Sequence, residues 1–323
     1  MDLKRPMGWL LAAALLLAVS PAAAQTYPAR PITFMHGFGA GGNADTIARL
    51  IGNAMNASMG VPVVIDAHVG AGGTIASDRA AKAKPDGYTI ILLTSGHAVS
   101  AGLYKKLPFD AVNDFQMISL ATAFPFVISV RKDDKRQSLP ELIAAAKAKP
   151  GQISFSSVGI GSTQHLSGEL LQSMAGIQLN HVPYKGGSAP LTDLLGGQID
   201  VMIDTITVTT PQLKGGTIRA LAVTTSEAWP SLPDIPPVAA TVPGYDVRGW
   251  LGVAGPKGLP QPVLERLNLE VRKALADPTV KARIEDMGNM VTPSSPEEMR
   301  QFVAADVAKF TRIIQEAHVP QQE

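Results

Sequence analysis

The sequence predicts an α/β protein built from two domains, one inserted into the other. From residue 32 onward, short β-branched strands alternate with amphipathic helices, which is the pattern of parallel βαβ units. Two longer apolar segments, 115–130 and 218–225, interrupt this alternation and each resembles a crossing between domains. The length of 323 residues also favours two domains, since a single domain usually has about 100–200 residues.

The first alternating block is predicted to contain three strands and two helices. Apolar residues recur at helical spacing in the first helix, among them Ile47, Ile51 and Met55, and give it one buried face. The segment KPDGY has the composition of a turn that leads into the third strand. The predicted strands are 32–35, 63–65 and 89–93, and the predicted helices are 43–56 and 74–83.

The second block lies between the two crossings, the first of which is interrupted by Pro125. It opens with SLPELIAAAKAKPG, in which Ser138 and Glu141 form a predicted capping box. Strand ISFSS, helix TQHLSGELLQSMAG, strand LNHVPY, helix APLTDLLGGQ and strand DVMID follow. After the return crossing we expect helices at 262–276 and 296–317, the latter capped by Ser295 and Glu298.

These crossings predict the domain organisation. The first domain is discontinuous and comprises residues 25–123 plus 226–323, and the inserted second domain comprises residues 124–225. Ligands of open α/β sheets bind beyond the carboxyl ends of the strands, at a topological switch point. We therefore expect the ligand in a cleft between the two domains.

The N-terminal segment 1–24 is predicted to be a cleaved secretory signal peptide. Lys4 and Arg5 precede the apolar run MGWLLAAALLLAV, and AAAQ offers a cleavage site between Ala24 and Gln25. The apolar run is shorter than the roughly 20 residues that span a membrane. The sequence thus predicts an exported protein.

Composition excludes several classes of function. The absence of cysteine excludes disulfides, a thiol nucleophile, a lipid-modified cysteine and Cys-ligated metals. The formal net charge is +1, and Asp2, Lys4 and Arg5 contribute −1 + 1 + 1 = +1 of it, so the chain without its signal peptide is about neutral. This argues against nucleic acid or an anionic membrane as partner. No His, Asp and Glu cluster has metal-ligand spacing, and we expect neither metal nor cofactor.

Glycine-rich turns follow the first two predicted strands. The first fits G-x-G-x-x-G through Gly37, Gly39 and Gly42, and Asp66 stands where a ribose-binding acid would stand. The sequence GAGG occurs twice, at 39–42 and 70–73. Each copy exposes backbone amides beside a helix N-terminus, which favours anions. The pattern alone is compatible with an NAD-dependent oxidoreductase or with a carboxylate receptor, although export argues against a diffusible nicotinamide cofactor.

A serine hydrolase is a further alternative. A His-Gly pair followed by small residues is similar to an oxyanion-hole turn. The nucleophile motif G-x-S-x-G does not occur. The nearest candidate nucleophile, Ser188, lies in GGSAP, which ends in proline.

An ordered set of segments resembles the Bug-type periplasmic receptors, the substrate-binding proteins of tripartite tricarboxylate transporters. The segments cover nearly the whole predicted mature chain and are YPARPITF, GGNADTIARLIG, VPVVIDAHVGAGGTIASDRAAKAKPDGYTIILLTS, LYKKLPFDAVNDF, GIGSTQHLSGELLQSMAG, HVPYKGGSAPLTDLLGGQIDVMID and GTIRALAVTTSE. The resemblance implies a two-lobed periplasmic-binding-protein fold, similar to type II, with two mixed or parallel sheets and a ligand cleft between the lobes. It also implies a monomeric periplasmic receptor without enzymatic activity, with a small carboxylate as ligand and membrane transporter subunits as partners.

The resemblance also implies which residues bind the ligand. The family holds a carboxylate between two facing turns, which match residues 38–46 and 159–165 here. A carboxylate side chain at Asp45 or Asp204 would repel an anionic ligand. We therefore expect Asp45 to brace its own turn or to contact the ligand through water. We expect Asp204 to contact a donor group of the ligand or a water molecule. The expected binding residues are Phe38, Ala40, Gly41, Gly42, Asn43, Asp45, Ser95, His97, Gly161, Ser162, Thr163, Gln164, His165, Tyr184 and Asp204.

One departure from the family pattern concerns the first turn. The family usually reads like PFPPGGSTD there, whereas this chain reads HGFGAGGNAD. His36 and Gly39 thus replace a proline-stiffened turn with a more flexible one. We expect this turn to leave room for a bulkier carboxylate, an aromatic or dicarboxylic acid such as terephthalate.

Overall fold

The computed structural model describes residues 27–323, so the predicted signal peptide lies outside the described residues. Ten strands in this range form one sheet in the order β2-β1-β3-β9-β4-β7-β5-β6, and β8 and β10 each pair with β4. The strands are β1 Ile32–His36, β2 Val63–Ala67, β3 Thr89–Thr94, β4 Phe115–Arg131, β5 Ser154–Ser157, β6 Asn180–Pro183, β7 Val201–Thr205, β8 Ile218–Val223, β9 Arg248–Pro256 and β10 Met290–Val291.

Ten α-helices connect and cover these strands within the described range. Their ends follow local sequence signals: Ser138 accepts the backbone N–H of Glu141, and Ser295 and Glu298 form a complete capping box. The helices are α1 Asn43–Met59, α2 Thr74–Ala81, α3 Ser95–Leu103, α4 Leu139–Ala148, α5 Thr163–Ala175, α6 Ala189–Leu195, α7 Ile206–Lys214, α8 Gln261–Ala276, α9 Pro278–Asp286 and α10 Pro296–Glu316.

Strand β4 passes through the whole sheet and changes its partners at Pro125. Residues 115–125 pair antiparallel with β9, and residues 126–131 pair antiparallel with β7 and β8. Proline has no N–H to donate to a ladder, and Pro125 lies at the last pair with β9, opposite Arg248. The proline expected to interrupt this segment thus marks a change of partner within a continuous strand. We call β1, β2, β3, β9 and β10 the first half of the sheet and β5 to β8 the second half.

The return connection runs beside β4. Strand β8 pairs with β4, and the N–H of Thr224 donates to the carbonyl of Phe126 over 3.0 Å. The N–H of Phe126 donates in turn to the Thr224 hydroxyl over 2.9 Å. The two covalent connections between the halves are therefore hydrogen-bonded to each other. The division into residues 25–123 plus 226–323 and 124–225 remains a prediction.

Four elements were not predicted from the sequence: α3, β9, α9 and β10. Glycine weakens strand propensity, and β9 contains Gly249, Gly252 and Gly255. A Cβ at Gly249 would lie 2.2 Å from Phe124 Cε2, and one at Gly252 would lie 2.5 Å from Met299 Cε. The packing of Phe124 and Met299 thus requires glycines in β9. Because these glycines lower the strand propensity, the sequence pattern does not predict this strand.

The carboxyl ends of four strands lead directly into helices. Strands β1, β2 and β3 are parallel to one another, as are β5, β6 and β7. Helices α1 and α3 follow β1 and β3, and α5 and α7 follow β5 and β7. Because the carboxyl ends of parallel strands share one edge, the N-termini of these helices face the same side in each half.

Candidate ligand-binding site

A cavity of about 470 Å³, its mouth included, lies between the two halves of the sheet. Residues from the N-termini of α1, α3, α5 and α7 contribute to its wall. The lining residues are Phe38, Gly42, Asn43, Ala44, Thr94, Ser95, Phe124, Phe126, Val158, Ser162, Thr163, Gln164, Gly186, Gly187, Asp204, Thr205 and Leu251.

The helix N-termini give the cavity a positive potential. The first amides of a helix have no acceptor within the helix, and each N-terminus carries roughly half a positive charge. Gly42 precedes α1 and has no side chain to cap it. At α5 the Ser162 hydroxyl accepts only the N–H of His165, over 3.2 Å. The remaining first-turn amides of the two helices are therefore available for an anion, as at other helix-terminal anion sites.

The side chain of Asn43 adds a donor to this end of the cavity. It is 6% exposed, and its Oδ1 accepts the hydroxyl of Thr207 over 2.7 Å. Its Nδ2 has no hydrogen-bond partner among the described residues. An unpaired buried donor costs about 1–3 kcal/mol. A ligand oxygen placed at Nδ2 would remove this cost.

Two hydroxyls join the halves beside the cavity. The Oγ of Ser95 at the start of α3 lies 2.7 Å from Oγ1 of Thr163 at the start of α5. Both side chains are buried. This hydrogen bond connects two helix N-termini across the cleft, so the arrangement corresponds to a closed state.

Asp204 brings a titratable group to the cavity wall at the end of β7. It is 3% exposed, and its Oδ1 accepts the N–H of Thr205 over 2.7 Å. Burial raises the pKa of Asp204 to about 6. Near neutral pH it is an acceptor for a ligand donor, and below pH 6 it is a neutral carboxyl group that donates.

The rest of the wall is apolar and largely aromatic. Phe124 and Phe126, consecutive on one face of β4, have ring centroids 5.6 Å apart at an interplanar angle of 77°. Phe38, Val158 and Leu251 line the cavity with them. Such a wall suits an apolar or aromatic ligand body, since edge-to-face contacts add about 0.5–1.5 kcal/mol to area burial.

A third glycine turn, which the sequence did not assign to the site, contributes to the cavity wall. Gly186 and Gly187 line the cavity and pack on the turn before α1, where the N–H of Gly39 donates to the carbonyl of Lys185 over 3.1 Å. A Cβ at Gly187 would lie 2.7 Å from the Ala40 carbonyl oxygen. The signal in the sequence is the Gly-Gly pair itself, which also lies in one of the segments that resemble the family.

The second GAGG turn packs against protein instead of lining this cavity. A Cβ at Gly72 would lie 2.7 Å from the carbonyl oxygen of Ile160 and 2.8 Å from the backbone nitrogen of Ser162. The turn therefore touches the segment that leads into α5. Its glycines allow the two halves to approach at backbone distance.

The structure brings eight of the expected binding residues to the cavity. They are Phe38, Gly42, Asn43, Ser95, Ser162, Thr163, Gln164 and Asp204. Six others, Ala40, Gly41, Asp45, His97, His165 and Tyr184, are not part of its wall. Ala40 and Gly41 form the exposed tip of the first turn. Gly161 precedes the lining residue Ser162 in the turn before α5 and is not part of the wall either.

Asp45 braces the first turn. Its carboxylate accepts the N–H of Gly41 over 3.1 Å and the Arg49 Nε over 2.9 Å, and His36 Nε2 lies 3.3 Å from Oδ1. Although burial acts to raise it, hydrogen bonds from Arg49 and Gly41 hold the pKa of Asp45 below its usual value. The bracing role expected of an acid at a helix N-terminus thus agrees with its contacts.

His97 is occupied by protein contacts behind the cavity. Its Nε2 lies 2.8 Å from the Ala111 carbonyl oxygen, and its Nδ1 lies 3.1 Å from the Ser77 hydroxyl. The ring is parallel to that of Phe109, with centroids 5.3 Å apart. Burial lowers the pKa of His97 to about 4. Both nitrogens are used, so the ligand contact expected of this residue does not occur in this arrangement.

His165 and Tyr184 also point to protein partners. His165 stacks on His181 with ring centroids 4.4 Å apart, and its Nδ1 accepts the N–H of Gly161 over 3.5 Å. The hydroxyl of Tyr184 donates to Asp193 over 2.6 Å. These contacts fix the turn before α5 and the end of β6, so both residues support the site from outside its wall.

The residues of the dinucleotide pattern have other partners. Asp66, the acid of the dinucleotide pattern, lies 2.8 Å from His68 Nε2. The turn that would hold a pyrophosphate is covered by Gly186 and Gly187. Within residues 27–323, no group of three or more His, Asp and Glu side chains could hold a metal ion.

Comparison with known proteins identifies the family. Residues 47–319 match the tripartite tricarboxylate transporter family receptor, TctC. The chain belongs to this receptor family. It is 38% identical over 308 residues to a protein of Pseudomonas sp. strain P51, named as the UPF0065 protein in the tcbD-tcbE intergenic region, with 94% of this chain and 92% of that protein covered.

Two solved structures of similar proteins confirm the predicted two-lobed α/β fold class, although the strands expected in two sheets form one sheet here because β4 runs through both halves. The periplasmic binding protein BugD superimposes with a TM-score of 0.87 at 36% identity, covering 92% of this chain and all of that one. Rpa4515 of R. palustris with adipate gives a TM-score of 0.87 at 34% identity, again covering 92% of this chain and 100% of that chain. The TctC chain described here is thus a two-lobed α/β binding protein. No helix in the described part of the chain combines the length and apolar character needed to cross a membrane.

Proposed function

We propose that the protein is a periplasmic receptor that captures a small carboxylate and delivers it to the membrane subunits of a tripartite tricarboxylate-type transporter. The observation that carries the proposal is the polar end of the cavity, where the free amides of two helix N-termini meet the unpartnered Nδ2 of Asn43. Donors without charged side chains bind a carboxylate through charge-assisted hydrogen bonds. Family membership and the adipate found in a structural neighbour support the same ligand class.

Capture is proposed to work by closure of two lobes over the ligand, as a monomer. The lobes are residues 25–123 plus 226–323 and residues 124–225, and the paired strands β4 and β8 connect them. Closure excludes water and strengthens each charge-assisted bond. Contacts made only in the closed state, such as Ser95 with Thr163, shift the population towards it once the ligand is bound.

The ligand is proposed to be an aromatic or dicarboxylic acid, of which terephthalate is an example. The aromatic wall of Phe38, Phe124 and Phe126 favours a flat apolar body between the polar ends. When ionised, Asp204 at the wall accepts a hydrogen bond from a second polar group of the ligand. When protonated, it donates a hydrogen bond to such a group. A second ionised carboxylate of the ligand would therefore bind more readily at mildly acid pH.

No catalytic step is assigned to the site. An oxidoreductase would need the first glycine turn for a pyrophosphate, yet this turn is covered by Gly186 and Gly187. The solved neighbours of this chain are periplasmic binding proteins. Binding without turnover is the function that these contacts support.

Isothermal calorimetry on the mature chain tests the proposal. Benzoate, terephthalate, adipate and NADH are titrated separately, and the aromatic acids are expected to bind with the highest affinity. Binding should also raise the melting temperature as the ligand concentration increases. Binding of NADH, or of none of the three acids, would contradict the proposed function, and tight binding of adipate alone would contradict the preference for aromatic acids.

A further inference from the structure

Asn43 is the last member of a chain of three buried polar side chains. Asn289 Nδ2 donates to the hydroxyl oxygen of Thr207 over 2.8 Å, and this hydroxyl donates to Asn43 Oδ1 over 2.7 Å. Asn289, Thr207 and Asn43 are 3%, 7% and 6% exposed. We call this chain the amide relay. It begins outside the cavity wall and ends in it.

The hydrogen bonds of the relay can run in two directions, which we call its senses, because the Thr207 hydroxyl has one hydrogen and donates it to only one of its two neighbours. In the observed sense Thr207 donates to Asn43 Oδ1, so the wall residue Asn43 keeps its Nδ2 as a donor that has no partner among the described residues. In the reverse sense Thr207 would donate to Asn289 and accept from Asn43, which would turn the Asn43 oxygen to the cavity. Each sense leaves one atom of Asn289 unpaired, and in the observed sense that atom is Oδ1.

The relay also spans the cleft. Asn43 begins α1 in the first half, Thr207 lies in the first turn of α7 after β7, and Asn289 lies next to β10, which pairs with β4. The segment that carries Asn289 is fixed, since the indole Nε1 of Trp229 donates to the Gly288 carbonyl over 2.7 Å. Thr207 of the second half thus orients the Asn43 amide only when the halves are together, and Asn289 of the first half holds the Thr207 hydroxyl.

We propose that Thr207 and Asn289 are specificity-determining positioning residues, which orient Asn43 so that the closed cavity accepts a ligand oxygen without a hydrogen and rejects a donor at this position. This inference rests on the proposed carboxylate function and adds residues that do not touch the ligand. A carboxylate at the N-terminus of α1 stabilises the observed sense. A ligand hydroxyl or amine hydrogen would require the reverse sense.

The Asn289→Asp substitution tests the relay by fixing its reverse sense, since an ionised carboxylate only accepts. The probe is whichever of benzoate, terephthalate or adipate the unmodified chain binds most tightly in calorimetry. We expect the affinity to fall about tenfold to a hundredfold, the worth of a hydrogen bond to a charged group. Thr207→Val removes the hydroxyl at constant shape and should weaken binding about fivefold, whereas Thr207→Ser should bind like the unmodified chain.

The double variant Thr207→Val/Asn289→Asp separates the relay from a direct effect of the new charge. If the relay transmits the change, the loss caused by Asn289→Asp disappears once Thr207 is replaced by valine, and the double variant binds like Thr207→Val. If the negative charge repels the ligand through space, the two losses add, and the relay is refuted. Unchanged binding by Thr207→Val would refute it as well, whether or not the Asn289→Asp chain folds. An unmodified chain that binds none of the three probes would instead contradict the proposed function, and the relay would fall with it.

Discussion

The single residue on which the site depends most is Asn43, because it combines a backbone amide at a helix N-terminus with a side-chain donor that has no partner among the described residues. A serine stands at the corresponding position of the family pattern PFPPGGSTD. Serine also donates, but its hydroxyl is shorter and rotates freely. The asparagine of this chain has a longer side chain, and its amide is held in one direction by the hydrogen bond from Thr207.

Replacing Asn43 by aspartate should abolish binding. The carboxylate still accepts from Thr207, and a negative charge in the first turn of a helix stabilises it by about 0.3–1 kcal/mol, but burial of a charge without a cationic partner costs more. The melting temperature is therefore expected to fall at neutral pH. Calorimetry should show the loss of at least about a hundredfold in affinity for the best carboxylate, because a donor becomes a like charge. Asn43→Ser is the matched control and should keep measurable binding; retention of tight binding by Asn43→Asp would contradict the assigned role.

Asp204 should make stability depend on pH. Burial raises its pKa from 3.8 to about 6 in the folded chain, so the folded chain keeps a proton that the unfolded chain has lost in this interval. The stabilisation is complete below pH 3.8 and is lost as the pH rises through about 6, by at most about 3 kcal/mol. Asp204→Asn, which retains an acceptor for Thr205, should melt higher than the unmodified chain at pH 8.

The comparison of the two chains at several pH values is what isolates Asp204. Burial also raises the pKa of Asp306 to about 6, but Asp306 is present in both chains. The difference in melting temperature between them should therefore grow from pH 4 to pH 8. A difference that does not change with pH would show that Asp204 is not buried as described.

At the scale of residues, the sequence predicted best which backbone turns line the cavity. Glycine turns and helix caps depend on local sequence, so Gly42, Asn43, Ser162 and Thr163 were expected at this wall, where they lie, and their contact with a ligand stays a prediction. His97 was assigned wrongly to the cavity, because its direction is set by Ala111 and Ser77. The aromatic wall of Phe124 and Phe126 was missed, since these residues lie on a strand whose path through both halves only the fold reveals.

At the scale of elements, closure depends on glycine turns that meet across the cleft. Gly39 and Gly187 meet before α1, and Gly72 meets the turn before α5. None of these contacts leaves room for a Cβ at its usual distance. The two copies of the GAGG motif therefore differ in this fold: the first leads into the N-terminus of α1 at the cavity wall, and the glycines of the second allow the opposite half to approach at backbone distance.

Gly72→Ala should block closure. Its Cβ would lie 2.7 Å from the Ile160 carbonyl oxygen, at a φ of 60°. Gly60→Ala is the matched control, since its φ is 70° and nothing lies within 4 Å of its Cβ. We expect both to lose similar stability, about 1 kcal/mol, and only Gly72→Ala to lose at least about tenfold in affinity. Small-angle scattering with saturating ligand should show compaction for Gly60→Ala alone; equal compaction of both variants would contradict the role of Gly72.

The elements that sequence patterns predicted are those with local signals. The capping residues Ser138 and Ser295 marked two helices correctly. Strand β9 was missed because the packing of Phe124 and Met299 requires glycines within it. Strand β4 was recognised as a crossing, but its continuity through Pro125 depends on a change of partner that only the assembled sheet provides.

At the scale of the whole molecule, a single sheet carries two groups of parallel strands whose carboxyl ends face one cavity. Four helix N-termini meet there without a cationic side chain among the described residues of the wall. The net charge of +1 for the complete sequence means that attraction for an anion is local and not a property of the whole surface. The proposed binding therefore requires closure, which brings the donors of both halves together.

The most direct test is a crystal structure of the mature chain grown with the carboxylate that binds most tightly in calorimetry. We expect the halves to be closed, and we expect the carboxylate oxygens to lie within about 3.2 Å of Asn43 Nδ2 and of the first amides of α1 and α5. The apolar part of the ligand should contact Phe124 or Phe126. A carboxylate that contacts neither helix N-terminus, or a nucleotide in the cleft, would contradict the account.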